Sequence, residues 1–385
     1  MRKYFTSESV SDGHPDKICD QIADGILDEL LRQDPYSRSA CEVTAESGSV
    51  HIMGEITTKA DADYIRTARK IIREAGYTKA EYGFDDNAVI TCSLHEQSPD
   101  IAMGVDSSFA DESTTGSGDQ GMMFGYAVNE SEEYMPLTLS LSRKLVMELS
   151  DARKSGKLPF LRPDGKSQVT LEYEGGKPVR IDTVVLSAQH DPDIELADLR
   201  KSLMENIIIP ALPENMLTDN TKYYINPTGR FVLGGPVADT GLTGRKIIAD
   251  TYGGYAHHGG GAFSGKDATK VDRSAALALR NIAKTIVASG AADECEIQAA
   301  YAIGVADPVS LAVLTFSSGK ISEETLVRWI RDHYDLRPEG MIRQFSLRSP
   351  VYRQSASFGA FGRTDVTLPW EVIDTCALED LKSLL

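Results

Sequence analysis

Gly259-Gly260-Gly261-Ala262-Phe263-Ser264-Gly265-Lys266-Asp267 is the stretch whose residue types and spacing point most directly at chemistry. Gly260 to Lys266 follows the Gly-x-x-x-x-Gly-Lys spacing of a phosphate-binding loop, where backbone N–H groups wrap phosphate oxygens and a lysine neutralises charge. Asp267 stands where such a loop needs Ser or Thr to hold magnesium, and no strand of a parallel sheet is evident before it. The spacing therefore suggests phosphate chemistry without assigning the P-loop fold, and taken alone it reads equally well as a tight glycine turn. Its context favours phosphate. Lys270, Asp272 and Arg273 follow at the start of a long predicted helix, whose positive end attracts anions. Upstream, Gly234-Gly235-Pro236 leads through Asp239 to Gly241-Leu242-Thr243-Gly244-Arg245-Lys246. A salt-bridged surface would not need the eight glycines of these two segments. A triphosphate carries about four charges, which four or five Lys or Arg side chains and a divalent cation would balance.

Carboxylates for that cation are present. Asp16 lies in the first turn of the opening helix, directly after His14-Pro15, and Asp272 follows the second glycine segment. Magnesium takes oxygen ligands from one or two carboxylates and completes its shell with phosphate and water. Taken singly, Asp16 reads as a helix-start acid and His14 as a turn or capping residue. Asp20, Asp24 and Asp28 continue at four-residue intervals and read as the solvated face of an amphipathic helix. The residues thus point to a magnesium–triphosphate enzyme and leave its acceptor open.

The elements that must position these residues fall into three blocks of helix, strand, strand, helix. Ile18, Ile22, Ile26, Leu27, Leu30 and Leu31 give a helix over Pro15–Leu31, capped by Gly13 or Asp12, with proline at a favoured first-turn position. Strands near Ala40–Glu46 and Val50–Thr57 follow across the turn Ser47-Gly48-Ser49, then a helix ended by Gly76. The middle block has a helix through Leu137–Leu149, strands near Ser167–Tyr173 and Val179–Leu186, and a helix over about 192–209. The last has a helix over Ser274–Ala288, strands near Glu296–Ile303 and Val309–Phe316, and a helix at Glu323–Asp332. Repeated hairpins flanked by helices predict an α+β fold: three similar domains of mostly antiparallel sheet plus helices, arranged with pseudo-threefold symmetry, over 1–100, 113–232 and 233–385. The long polar connection Asp106–Gly121 is of a kind that is more often functional than idle.

Composition agrees with a folded enzyme. The chain has 385 residues, 41% of them hydrophobic and 25% charged, which calls for more than one core. No apolar run approaches the length of a membrane span, and no signal-peptide core opens the chain. A net charge of −17 argues against nucleic-acid and anionic-membrane partners. The five cysteines are widely spaced with no Cys-x-x-Cys, which argues for structural thiols in a reducing, cytoplasmic setting.

Over essentially its whole length the sequence resembles the S-adenosylmethionine synthetases. The stretches that carry the resemblance are Phe5–Lys17, Gly54–Thr58, Gln97–Ile101, Gly118–Gly121, Asn226–Phe231, Gly241–Ile248 and Gly259–Asp272, in that order. The resemblance implies attack of methionine sulfur on the ribose C5′ of ATP, release of triphosphate, and its hydrolysis to pyrophosphate and phosphate. Sulfur is already nucleophilic, so positioning and leaving-group stabilisation must supply most of the catalysis. The roles it implies are these. His14, Lys166, Lys266 and Arg245 act in catalysis. ATP is held by His14, Asp164, Lys166, Arg230, Phe231, Asp239, Arg245, Lys246, Ala262 and Lys266, with Phe231 stacking on adenine. Methionine is held by Glu55, Gln97, Asp119, Asp239 and Lys270. Asp16 and Asp272 each hold a magnesium ion, and Glu42 holds potassium. Ser98–Asp106 is a loop closing over the site. It further implies three similar α+β domains and a homodimer with shared active sites, assembling to a tetramer.

Departures from the family pattern are Asp12 for Glu, Ala268 for Pro, the pair His257-His258, and Leu277 and Leu279 in the following helix. They bear on stability or oligomer contacts, and the histidine pair reads as structural or phosphate-side. Two other readings compete. A kinase or P-loop hydrolase would release ADP and would need Ser or Thr in place of Asp267. A catalytically silent paralogue would have lost charged site residues, whereas His14, Lys166, Lys266 and Asp272 are all present.

Overall fold

The computed structural model describes residues 3–97 and 115–385. The Ser98–Asp106 loop and most of the Asp106–Gly121 connection lie outside the described residues. The opening strand β1 (Tyr4–Val10) leads into α1 (Pro15–Gln33), the hairpin β2 (Arg38–Glu46) and β3 (Ser49–Thr57), α2 (Tyr64–Glu74) and β4 (Val89–His95). After β5 (Gly121–Val128) come α3 (Leu137–Lys154), the long hairpin β6 (Leu161–Glu174) and β7 (Lys177–His190), α4 (Leu196–Leu203) and β8 (Lys222–Ile225). The last third holds the short β9 (Gly241–Leu242), α5 (Ile247–Asp250), α6 (Val271–Ala288), β10 (Glu294–Tyr301), β11 (Ser310–Leu314) and α7 (Glu323–His333).

The eleven strands among the described residues form three sheets, ordered β1-β6-β7-β8, β4-β3-β2-β9 and β11-β10-β5. Pairing is antiparallel except for β3 with β4 and β7 with β8, so the mostly antiparallel α+β class expected from the hairpin pattern holds. Each sheet takes one strand from another third of the chain. β1, from the N-terminal third, joins the central sheet. β5, from the centre, joins the C-terminal sheet, and β9, from the last third, joins the N-terminal one. The exchange is cyclic, as a pseudo-threefold arrangement requires. It also brings residues distant in sequence to neighbouring strand ends.

Helix α1 is the axis of this assembly. Its apolar set Ile18, Ile22, Ile26 and Leu30 packs on β2 and β3, while Leu27 and Leu31 reach the core of the C-terminal third. Only its last turn, at Glu29, Arg32 and Gln33, reaches solvent. Asp16, Asp20 and Asp24 are fully buried and Asp28 nearly so, which corrects the reading of the last three as a solvated stripe. The cap also differs from expectation. His14 is the N-cap, its Nδ1 accepting the Asp16 amide at 3.2 Å, because an extended residue must precede Pro15. Asp12 is buried instead against α3, accepting Ser150 Oγ at 2.7 Å beside Arg153 and Lys154. Of the other departures, Leu277 and Leu279 are core residues of α6, and the Leu279 backbone lies so close to Gly125 that a side chain there would clash.

Candidate active site

The row of buried aspartates explains how the two glycine segments are placed. Asp16 Oδ1 accepts the Leu242 amide at 2.9 Å, Asp20 Oδ1 the Gly244 amide at 2.9 Å, and Asp24 Oδ1 the Gly265 amide at 2.8 Å. Asp28 accepts the amides of Tyr352 and Arg353, each at 3.0 Å. One helix thus pins three segments of the last third at successive turns. Strand β2 holds the same two glycine segments from the other side: Thr44 and Ala45 pair with Leu242 and Gly241, and Ala40 bridges to Lys266.

The glycines serve this close packing. A Cβ at Gly241 would lie 2.3 Å from the Pro15 carbonyl oxygen, and one at Gly265 1.9 Å from that of Cys41. At Gly244 it would meet the Ala262 methyl at 2.5 Å. The N–H groups of Gly244 and Gly265 are therefore spent on carboxylates, not held out as a phosphate-wrapping loop. Gly261 does open space at the site, since a side chain there would strike the Asp272 carboxylate at 2.3 Å.

Two charged centres result. In the first, Asp16 Oδ2 receives Lys246 Nζ at 2.5 Å, with Arg245 Nη1 3.6 Å from Oδ1 and His14 Nδ1 3.9 Å from Oδ2. Burial and then the Lys246 ammonium push the His14 pKa down to about 3, so the ring is neutral. Because Nδ1 accepts the Asp16 amide, Nε2 carries the proton and is a donor at this centre. Asp164 is buried nearby and accepts the Gly235 amide at 2.9 Å. Burial, with Asp239 and Asp16 adding repulsion against the amides of Gly235 and Gly165, pushes its carboxyl up to about 6. Lys166 projects from β6, half exposed, and pairs with Glu8 at 2.9 Å. In the second centre Lys266 Nζ meets Asp272 Oδ2 at 2.6 Å in the first turn of α6, so the lysine and the carboxylate are brought together. Glu42 lies two residues along β2 from the Lys266 bridge. Its carboxyl is raised by burial against the opposing pull of Lys266, with Asp20 and Glu55 adding negative charge.

Other expected residues lie around these centres. Arg230 and Asp239 are exposed and Phe231 half-buried, its backbone paired with His190 and its ring against Gly234. Glu55 pairs with His95 at 3.2 Å, and Gln97 donates its amide to Thr57 Oγ1, both on the open side of the β4-β3-β2-β9 sheet. Asp119 is exposed before β5. Lys270 is not open to a ligand in this arrangement: it is buried and closes on Asp267, which also accepts Thr269 and the Ser39 amide. Asp267 is thereby the corner that turns the chain into α6. Of the histidine pair, His257 binds Glu296 through Nδ1 at 2.8 Å, and His258 Nδ1 accepts the Gly260 amide at 2.8 Å, shaping the glycine turn.

Sequence reasoning missed Lys17 and Asp250, took Asp20 and Asp24 for a solvated face, and read Arg273 as part of the phosphate-side charge, whereas it is buried against Asp24. Lys17 is fully buried between Asp250, at 2.6 and 2.8 Å, and Asp20, at 2.9 Å. Burial opposes its charge, but Asp20 and then Asp250 outweigh it and hold the ammonium above its usual range. Arg273 pairs with Asp24 through two bonds of 2.7 Å and donates to the carbonyls of Phe263 and Lys266. A signal existed. A solvated helix face mixes Lys with Glu, whereas this one repeats Asp, a poor interior helix former, with no interleaved cation beyond Lys17.

Buried carboxylates set among lysines and an arginine at helix N-termini, on an α+β scaffold of three strand-sharing sheets, make an enzyme site suited to a polyanion. Family models for S-adenosylmethionine synthetase match the chain along its length: the N-terminal domain over residues 2–99, the central domain over 114–231 and the C-terminal domain over 233–372. The chain is 56% identical over 393 aligned positions, covering all of both chains, to the S-adenosylmethionine synthase of Clostridium tetani (strain Massachusetts / E88). The chain belongs to the S-adenosylmethionine synthetase family, as its sequence motifs implied.

Proposed function

We propose that the chain makes S-adenosylmethionine from ATP and L-methionine, by attack of the methionine sulfur on ribose C5′ with release of triphosphate, which it then hydrolyses to pyrophosphate and phosphate. The observation that carries this reading is the Asp16 centre, a fully buried carboxylate at a helix N-terminus ringed by Lys246, Arg245 and the neutral His14. No general base is needed to activate the sulfur, which is already nucleophilic; stabilising the departing polyphosphate is the catalytic task. His14 Nε2–H donates toward the oxygen leaving C5′, and Lys166 neutralises the adjacent phosphate. Arg245, Lys246 and Lys266 bind the phosphate chain, and Phe231 with Arg230 covers adenine. Glu55, Gln97 and Asp119 take the amino acid, and Lys270 joins them once it leaves Asp267. Asp164, Asp239 and Ala262 line the nucleotide.

Among the described residues no three His, Cys, Asp or Glu side chains converge as a metal cage. One carboxylate each at Asp16 and Asp272, each already countered by a lysine, nonetheless fits magnesium, which keeps its other positions for phosphate and water. In that role the two residues would hold two magnesium ions, which supply charge neutralisation for the triphosphate. Glu42, partly buried with Asp20 and Glu55 among its charged neighbours, fits potassium.

We also read the chain as a dimer with shared sites, paired into a tetramer, in the reducing cytoplasm. Exposed apolar side chains on and beside the sheets that carry Glu55 and Asp119, among them Val89, Met122, Val309 and Phe316, support the first. Three buried free thiols support the second. Among the described residues no helix is long and apolar enough to cross a membrane.

The test is product analysis by mass spectrometry after incubation with ATP, magnesium and potassium, with and without methionine. Methionine-dependent S-adenosylmethionine together with pyrophosphate and phosphate is expected. ADP as the product would overturn the reading in favour of phosphoryl transfer, and absence of turnover would favour a silent partner subunit.

A further inference from the structure

We propose that Lys17 and Asp250 are positioning residues for the Arg245–Lys246 cation pair, tying the polyphosphate clamp to helix α1. The inference rests on reading Arg245 and Lys246 as phosphate ligands. The clamp lies in a ten-residue segment, Gly241 to Asp250, with little regular structure of its own: a two-residue strand and a single helical turn. Its first half is fixed by Leu242 on Asp16 and Gly244 on Asp20. Its far end is fixed by Asp250, whose two carboxylate oxygens receive Lys17 Nζ at 2.6 and 2.8 Å. The same ammonium contacts Asp20 at 2.9 Å, so one buried cation fastens both ends of the segment to one turn of α1. Lys246 sits four residues before Asp250, and its carbonyl accepts the Asp250 amide at 2.9 Å. A displacement at Asp250 is therefore passed straight to the Lys246 backbone.

Energetics favour a positioning role over a stabilising one. A buried ion triad returns little net stability relative to apolar residues of the same volume, because three charges must leave water. What it does supply is direction. The ammonium accepts only a narrow placement of the Asp250 carboxylate, and errors near 1 Å at a reacting centre cost about 10²-fold in rate.

Isothermal calorimetry of the purified full chain with magnesium and inorganic tripolyphosphate reads the clamp without methionine or turnover. Two variants separate charge from geometry. Asp250→Asn removes charge and keeps an acceptor in place; Asp250→Glu keeps charge and moves the carboxylate by one methylene. Asp250→Glu is expected to weaken tripolyphosphate about 10-fold and to raise KM for ATP without changing KM for methionine. Asp250→Asn and the remote Asp28→Asn should each stay within about 3-fold of the parent, well under the 10-fold that 1.4 kcal/mol represents. Equal affinity in Asp250→Glu and the parent would overturn the inference while leaving the proposed activity intact. Stronger loss in Asp250→Asn than in Asp250→Glu would overturn it in favour of a simple charge effect. A parent chain that fails to bind tripolyphosphate would overturn the clamp reading and this inference with it.

Discussion

Replacing Asp24 by Asn gives the sharpest test of how the last third of the chain is held on α1. The side chains of Asp24 and Arg273 are 0% and 3% exposed, and their two bonds of 2.7 Å form a parallel fork. The guanidinium also lies 4.1 Å over the Tyr352 ring and donates to the carbonyls of Phe263 and Lys266. Asn at position 24 retains an oxygen for the Gly265 amide, so the backbone contact survives while the counter-charge is lost. An uncompensated buried guanidinium costs about 3–5 kcal/mol. Unfolding entropy near 2.1 cal/mol/K per residue converts that, for a chain of 385 residues melting as one unit, to a fall of roughly 4–6 °C in midpoint. Differential scanning calorimetry of the parent, Asp24→Asn, Arg273→Met and the double variant would measure it. The double variant should be more stable than Asp24→Asn, since no charge is then left buried alone. A midpoint for Asp24→Asn within 1 °C of the parent (about 1 kcal/mol by the same conversion) would refute the reasoning, as would additive losses in the double variant.

Three further outcomes are expected. Asp272→Ala should lower turnover by about 10³-fold or more while leaving the midpoint unchanged, because among the described residues its partly exposed carboxylate is paired with Lys266 alone; near-normal turnover at saturating magnesium would remove it from the site. His14→Asn retains a helix cap and loses the Nε2 donor, so kcat should fall about 10²–10³-fold with little change in stability; an equal loss of stability would make His14 a structural cap only. Burial pushes the Asp28 carboxyl up to about 6, above its unfolded value, so the native state binds more protons between pH 4 and 6. Its contribution is then full below that window and is lost as pH rises through it, by up to about 3 kcal/mol. Midpoints measured from pH 7.5 to 5 should rise more in the parent than in Asp28→Asn, and equal slopes would contradict this.

Much of the candidate site was legible in the sequence because its chemistry is local. Glycine next to lysine, and Asp after His-Pro, are patterns of a few residues, and the hairpins read as period-two runs bounded by turn residues. What could not be read was which element each segment meets. Strands β1, β5 and β9 pair across separations that no local pattern encodes, and β9 is two residues long. The aspartates of α1 were misread for the same reason. A carboxylate every fourth residue satisfies the rule for an amphipathic helix, and only the packed structure supplies the backbone amides that make those positions interior. Lys270 shows the converse, a motif residue whose ammonium is engaged by Asp267 within the chain.

The glycine segments have a physical explanation that phosphate binding alone does not provide. If they existed to present N–H groups to a ligand, Gly244 and Gly265 would leave theirs free; instead each is given to a buried aspartate of α1. Their missing side chains let the segments approach α1 and β2 to distances that any Cβ would forbid. That approach fixes the residues that follow, Arg245-Lys246 after Gly244 and Lys266 after Gly265, with Asp272 six residues further on. The carboxylates satisfy amides that would otherwise be buried unpaired, and the cations one or two residues along are left directed at the open centres. Glycine here brings backbone against a charged helix, and the charge delivered to the site is carried by the side chains that come next.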